Sequence, residues 1–142
     1  MLVSDMMSPN VVSITPEESI ALAARLLYRH NIGALPVCTA DGKLKGMLTD
    51  RDIVLRCVAT QQDPDGTSVQ EIMSKGIVSL NPNDDAKVAS RIMAQEQVRR
   101  LPVLSDGKVV GMVSLGDLAK TQAYDEDASK ALTEISSNVK KK

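Results

Sequence analysis

Apolar residues fall into helix-like stripes and strand-like runs. Ile20, Ala23, Ala24 and Leu27 lie at i, i+3, i+4 and i+7, and Ala86, Ala89, Ser90 and Met93 repeat that spacing. Each set predicts one buried face of a helix. Thr15, Pro16 and Glu18 stand ahead of the first stripe as N-cap, first-turn proline and capping-box acid. Asn81, Pro82 and Asp84 repeat that chemistry ahead of the second. Short apolar runs at residues 11–14, 35–38 and 44–48 predict strands, as do residues 77–80, 101–104 and 109–113. Asp41-Gly42 and Asp106-Gly107 are tight-turn dipeptides between the second and third run of each set. A second helix is predicted near Asp50 and near Leu115. The order strand, helix, strand, strand, helix therefore occurs twice.

The two halves are copies. Pro36 aligns with Pro102, 66 positions on, and the same shift brings Met7 onto Met73, Ser8 onto Ser74 and Pro16 onto Pro82. Leu35-Pro36-Val37 matches Leu101-Pro102-Val103. One residue drops out near Thr39 and Ala40, after which Gly46-Met47 matches Gly111-Met112 and Asp52 matches Asp117. A repeat of this extent points to an internal duplication. The expected organisation is a first repeat at residues 1–59, a polar linker at 60–68, a second repeat at 69–122 and a helical tail at 123–142. In the tail, Ala128, Ala131, Leu132 and Ile135 form an apolar stripe suited to docking.

Composition narrows the chemistry. The 142 residues suffice for one ordinary domain or two small ones. With no Trp or Phe and only two Tyr, the core must be aliphatic. Of these, Tyr28 is expected to pack on its helix. Seventeen basic residues against eighteen acidic give a net charge of −1, which offers no field for nucleic acid or an anionic membrane. Cys38 and Cys57 form no CxxC pair and are read as thiols of a reducing compartment. The start of the chain has no basic, apolar leader pattern, so a cytoplasmic protein is expected. No nucleophile–base pair, metal cluster or Walker-type loop is present to suggest an enzyme. His30, the one histidine, is read as a helix C-terminal residue.

The doubled β-α-β-β-α unit, its Leu-Pro-Val strands and its closing Gly-x-x-Thr/Ser-x-x-Asp resemble tandem CBS domains, named for cystathionine β-synthase. That closing motif is Gly46, Thr49 and Asp52 in one copy and Gly111, Ser114 and Asp117 in the other. Two such repeats form a Bateman module. The likeness covers about residues 1–121 and leaves the tail outside it. It implies an α/β (α+β) fold with two three-stranded sheets related by a pseudo-twofold axis, and a C-terminal helix beyond them. It also implies a regulatory module rather than an enzyme, commonly a homodimer, acting in trans on a protein target. The implied ligand is an adenine nucleotide (AMP, ADP or ATP) or a related adenosyl molecule, with no required cofactor and no metal.

The family layout implies two ligand sites. One combines Thr49, Arg51 and Asp52 with Ile77, Val78, Ser79, Arg99, Arg100, Leu101 and Pro102. The other combines Ser114 and Asp117 with Val11, Val12, Ser13, Gly33, Ala34, Leu35 and Pro36. The chemistry suits those roles. Helix-initial N–H groups and a Thr or Ser hydroxyl favour a phosphate. An ionised Asp three residues later accepts from ribose hydroxyls. Arg51, Arg99 and Arg100 make the first site the better phosphate binder. The competing expectation is that Thr49 and Ser114 are plain N-caps and the protein a ligand-free scaffold.

Overall fold

The computed structural model describes residues 1–120 and 131–135. In chain order its elements are α1 (Val3–Met6), α2 (Ile20–His30), β1 (Ala34–Cys38), β2 (Leu44–Thr49) and α3 (Asp50–Ile53). A π-helical turn, Val54–Val58, continues α3. Then come α4 (Val69–Ile72), α5 (Ala86–Glu96), β3 (Arg100–Ser105), β4 (Lys108–Ser114) and α6 (Leu115–Lys120). Four of the six predicted strands, the major helices and the repeat fall where the apolar pattern puts them.

These elements gather into two compact units. The first is Val12–Ile77 with Gly107–Val109. The second is Met1–Val11, Val78–Asp106 and the described residues from Val110 onward. Each unit thus holds the opening segment of the other sequence repeat.

In the first unit, α2 lays Ile20, Ala23 and Leu27 against Leu35, Val37 and Leu48 of the β1–β2 hairpin. Ile53 and Cys57 close one side, and Val69 and Ile72 of α4 complete the core. Ala24, predicted on the buried stripe, is exposed, and Leu22 and Leu26 pack at the margin instead. In the second unit Ala86, Ala89 and Met93 of α5 meet Leu101, Val103 and Val113, and Val3 of α1 takes the place that Val69 has in the first. Ser90 of the predicted stripe is buried, and its hydroxyl donates to the Lys87 carbonyl at 3.0 Å. Residues 131–135 are helical, and Ala131 joins this core while Leu132 faces outward. Ala128 and the rest of the predicted tail helix lie outside the described residues. Tyr28 is 89% exposed among the described residues, so the ring is not buried against its helix as expected.

The helices start later than predicted. Ser19, not Thr15, caps α2 by accepting from the Leu22 N–H at 3.1 Å, and Asp85 caps α5 through Lys87 N–H. The reason is non-local. The carbonyls of Pro16 and Glu18 accept from Gln70 N and Val69 N at 3.0 and 2.8 Å, so residues 16–18 are committed to α4. The carbonyls of Pro82 and Asp84 accept from Ser4 N and Val3 N of α1 in the same way.

The third strand of each sheet shrinks to one bridge. Ile14 N–H donates to Pro36 O at 3.1 Å and Cys38 N–H to Ile14 O at 2.9 Å, pairing Ile14 in parallel with Val37. Leu80 and Val103 pair likewise. The next bond upstream would need an N–H from Pro36, and the next downstream one from Pro16. Proline has none, and Pro102 and Pro82 block the second copy. The sheets are therefore two-stranded hairpins, β1–β2 and β3–β4. The tight turn at Asp106-Gly107 has positive φ at both residues, 54° and 77°, as a type I′ turn requires. The first hairpin closes through a longer loop at residues 39–43, where only Gly42 is left-handed, at φ 91°.

Candidate functional site

The repeated Gly-x-x-Thr/Ser-x-x-Asp sits where β2 runs into α3 and where β4 runs into α6. Its glycine is a packing device. A Cβ on Gly46 would lie 2.6 Å from the Ser74 carbonyl and 2.9 Å from the Met73 sulfur. The backbones of Met47 and Ser74 exchange two hydrogen bonds there, at 3.0 and 2.9 Å. Gly111 meets Met7 and Ser8 in the same manner, with Met112 and Ser8 exchanging bonds at 3.0 and 2.8 Å. The glycine therefore admits the Met-Ser segment that opens the other repeat.

The hydroxyl and the carboxylate form a reciprocal cap. Asp52 N–H donates to Thr49 Oγ1 and Thr49 N–H donates to Asp52 Oδ2, each at 3.0 Å. Asp117 N–H donates to Ser114 Oγ at 3.1 Å and Ser114 N–H to Asp117 Oδ2 at 2.9 Å. The plain N-cap expectation is correct as far as it goes. It does not exhaust the groups, because in each cap the hydroxyl is an acceptor, and among the described residues its own O–H proton has no acceptor. The cap itself engages only Oδ2 of each carboxylate. What it fixes is direction: both side chains are held in one rotamer at the strand–helix junction.

The predicted site residues divide between the units. The first unit contains Thr49, Arg51, Asp52 and Ile77 together with Val12, Ser13, Gly33, Ala34, Leu35 and Pro36. The second contains Ser114 and Asp117 with Val11, Val78, Ser79, Arg99, Arg100, Leu101 and Pro102. Within the first, Ala34 is the register partner of Thr49, and Gly33 O accepts Asp50 N–H at 3.1 Å. Within the second, Arg99 O accepts Leu115 N–H at 2.8 Å. The segment ahead of each Leu-Pro-Val strand thus abuts the cap of its own repeat. Leu35, Pro36, Leu101 and Pro102 are buried, while Arg51, Arg99 and Arg100 are exposed.

Arg56 is the residue the pattern of the sequence did not single out. Its Nη2 lies 3.6 Å from Asp52 Oδ1. Its Nη1 donates to the Ile72 carbonyl at 2.9 Å and to Ser74 Oγ at 3.1 Å. The available signal was its position four residues after Asp52 on a helix. Its other partners are 16 and 18 residues away.

With this geometry in hand, the likeness to known proteins is specific. The family model for the CBS domain matches residues 3–58 and 69–124. The chain belongs to the CBS domain family. Both CBS repeats carry the reciprocal cap. The CBS domain-containing protein YhcV of Bacillus subtilis is 49% identical over 134 residues, 94% of each chain. That relative has almost nothing outside the matched repeats. Hypoxic response protein 1 of Mycobacterium tuberculosis is 37% identical over 116 residues, 82% of this chain and 81% of that protein. A crystal structure of Hypoxic Response Protein I with two coordinated zinc ions matches at a TM-score of 0.79, over 84% of this chain and 98% of that one. The CBS domain pair of MJ0100, in complex with 5-methylthioadenosine and S-adenosyl-L-methionine, matches at 0.77 with 28% identity, again over 84% and 98%. Among the described residues no three His, Cys, Asp or Glu side chains cluster as a metal site, and no helix is long and apolar enough to cross a membrane.

Proposed function

We propose that this CBS pair is a sensor of an adenine nucleotide or related adenosyl ligand. In this reading Asp52 and Asp117 accept from ribose hydroxyls, and Thr49 and Ser114 donate their hydroxyls to a phosphate or its neighbour. The observation that carries it is the pair of pre-set caps, each fixing an acid and a hydroxyl three residues apart at a strand–helix junction. A related CBS pair captured with two adenosyl ligands supports the ligand class. Arg51 stands beside the first cap where Gly116 stands beside the second, so a phosphorylated ligand prefers the Asp52 half. The sensor acts without chemistry of its own, as a cytoplasmic homodimer that signals to a protein target. Val78, Ser79, Arg99 and Arg100, with Val11 and Ser13, are proposed to complete the ligand contacts.

Titration calorimetry with AMP, ADP, ATP and S-adenosylmethionine tests this. Asp52→Ala is expected to weaken AMP binding more than Asp117→Ala does. A thermal scan should show a higher midpoint with the bound ligand, since a molecule that binds only the folded state stabilises it. The ligand-free scaffold reading has one observation in its favour, that the caps are satisfied within the chain. It wins if none of these ligands releases heat or moves the midpoint.

A further inference from the structure

We propose that Arg56 is a positioning residue for the Asp52 half-site, and that it links that acid to the segment leading to Ile77. This rests on the ribose-acceptor reading of Asp52. One oxygen of the carboxylate is fixed by Thr49 N–H at 3.0 Å, and the other faces the Arg56 guanidinium at 3.6 Å. The Asp52 side chain is only 12% exposed, against 49% for Arg56. At 3.6 Å the guanidinium orients Oδ1 by charge without consuming a lone pair in a short hydrogen bond. Oδ1 therefore stays able to accept from a hydroxyl.

The guanidinium is itself held. Its other nitrogen is tied to the carbonyl that ends α4 and to Ser74 Oγ. The Arg56 backbone carbonyl accepts from Thr60 Oγ1 at 2.8 Å, two residues past the π-helical turn. Ser74 in turn pairs through its backbone with Met47 of β2. One side chain thus joins Asp52, α4 and the strand that carries Thr49. A ligand that moves Asp52 pulls on residues 72–74, just before Ile77. In the second repeat the position matching Arg56 is Thr121. That residue carries no guanidinium, so the Arg56 link belongs to the first repeat alone.

The test is calorimetry of AMP and 2′-deoxy-AMP on the full chain. The Asp52 site is defined as the binding component that Asp52→Ala removes. Arg56→Gln is expected to weaken AMP at that site by about tenfold and 2′-deoxy-AMP much less, so the preference for ribose shrinks. Arg56→Lys should restore part of that preference. Ser74→Ala, which removes one anchor of the guanidinium and leaves the helix intact, should give a smaller loss of the same kind and serves if Arg56→Gln does not fold. Equal weakening of both ligands, or no change in either, while Asp52→Ala still abolishes binding, overturns the role of Arg56 and leaves the sensor reading standing. Unaltered binding in Asp52→Ala overturns the ribose-acceptor reading of Asp52 on which this rests, and absence of binding to the parent chain overturns the sensor reading itself.

Discussion

Gly46 and Gly111 have the same place in the two repeats but face obstacles of different stiffness. The Cβ of an alanine at 46 would strike a backbone carbonyl at 2.6 Å. At 111 the nearest atom is the Met7 sulfur at 2.5 Å, with the Ser8 carbonyl at 3.1 Å. A methionine side chain can swing aside, whereas the Ser74 carbonyl is fixed by the bond it accepts from Met47 N–H and by the return bond from Ser74 N–H to Met47 O. Gly46→Ala is expected to cost about 1–3 kcal/mol of stability through overpacking, and Gly111→Ala less. Urea unfolding of both variants would show it; an equal loss, or the reverse order, contradicts the packing role. A glycine at a fixed place in both repeats is legible in the sequence, but the neighbour it admits is not. Met73 and Ser74 are far along the chain and reach Gly46 only because the opening segments are exchanged.

At the scale of elements, α4 shows how a short helix is fixed at a junction. Ser68 N–H donates to Glu71 Oε2 at 2.7 Å and the Ser68 hydroxyl adds a second bond at 3.0 Å. The Ser68 backbone bond, then its hydroxyl bond, holds the Glu71 carboxyl below its usual range. The folded state therefore favours the ionised form. The stabilisation is present above the unfolded pKa, about 4.3, and is lost as pH falls through the lower folded value. Glu71→Gln should lose less stability than the parent on going from pH 6 to pH 3, measured by urea midpoints; identical pH profiles would contradict the cap. The hairpins and the buried stripes were legible because their signals are local: period, turn dipeptides and proline. The helix starts were not. Thr15-Pro16-x-Glu18 has the wording of a capping box, yet the Glu18 carbonyl is taken by Val69 N–H, 51 positions later. The single-bridge third strand was legible in principle, since Pro16 and Pro36 forbid anything longer.

For the whole molecule, the units that pack are not the units that repeat. Residues 1–59 lack Val69 and Ile72, both fully or almost fully buried in the core that α2 and the first hairpin build. Residues 12–77 contain all of that core. A fragment of residues 12–77 should therefore show dispersed amide resonances and a cooperative melt, while residues 1–59 should show neither. A well-folded 1–59 fragment would rule out the exchanged packing. The candidate site was readable in its hydroxyl and acid because both lie three residues apart at one junction. Arg56 was hidden because two of its partners come from a segment assigned to the other repeat.

That exchange binds the two copies to each other. The Val-x-x-Ile turn that seals the first interior and the Val-x-x-Met turn that seals the second each come from the opposite copy. A cut in the polar stretch at residues 60–68 would leave each half without its own seal and holding the one its neighbour needs.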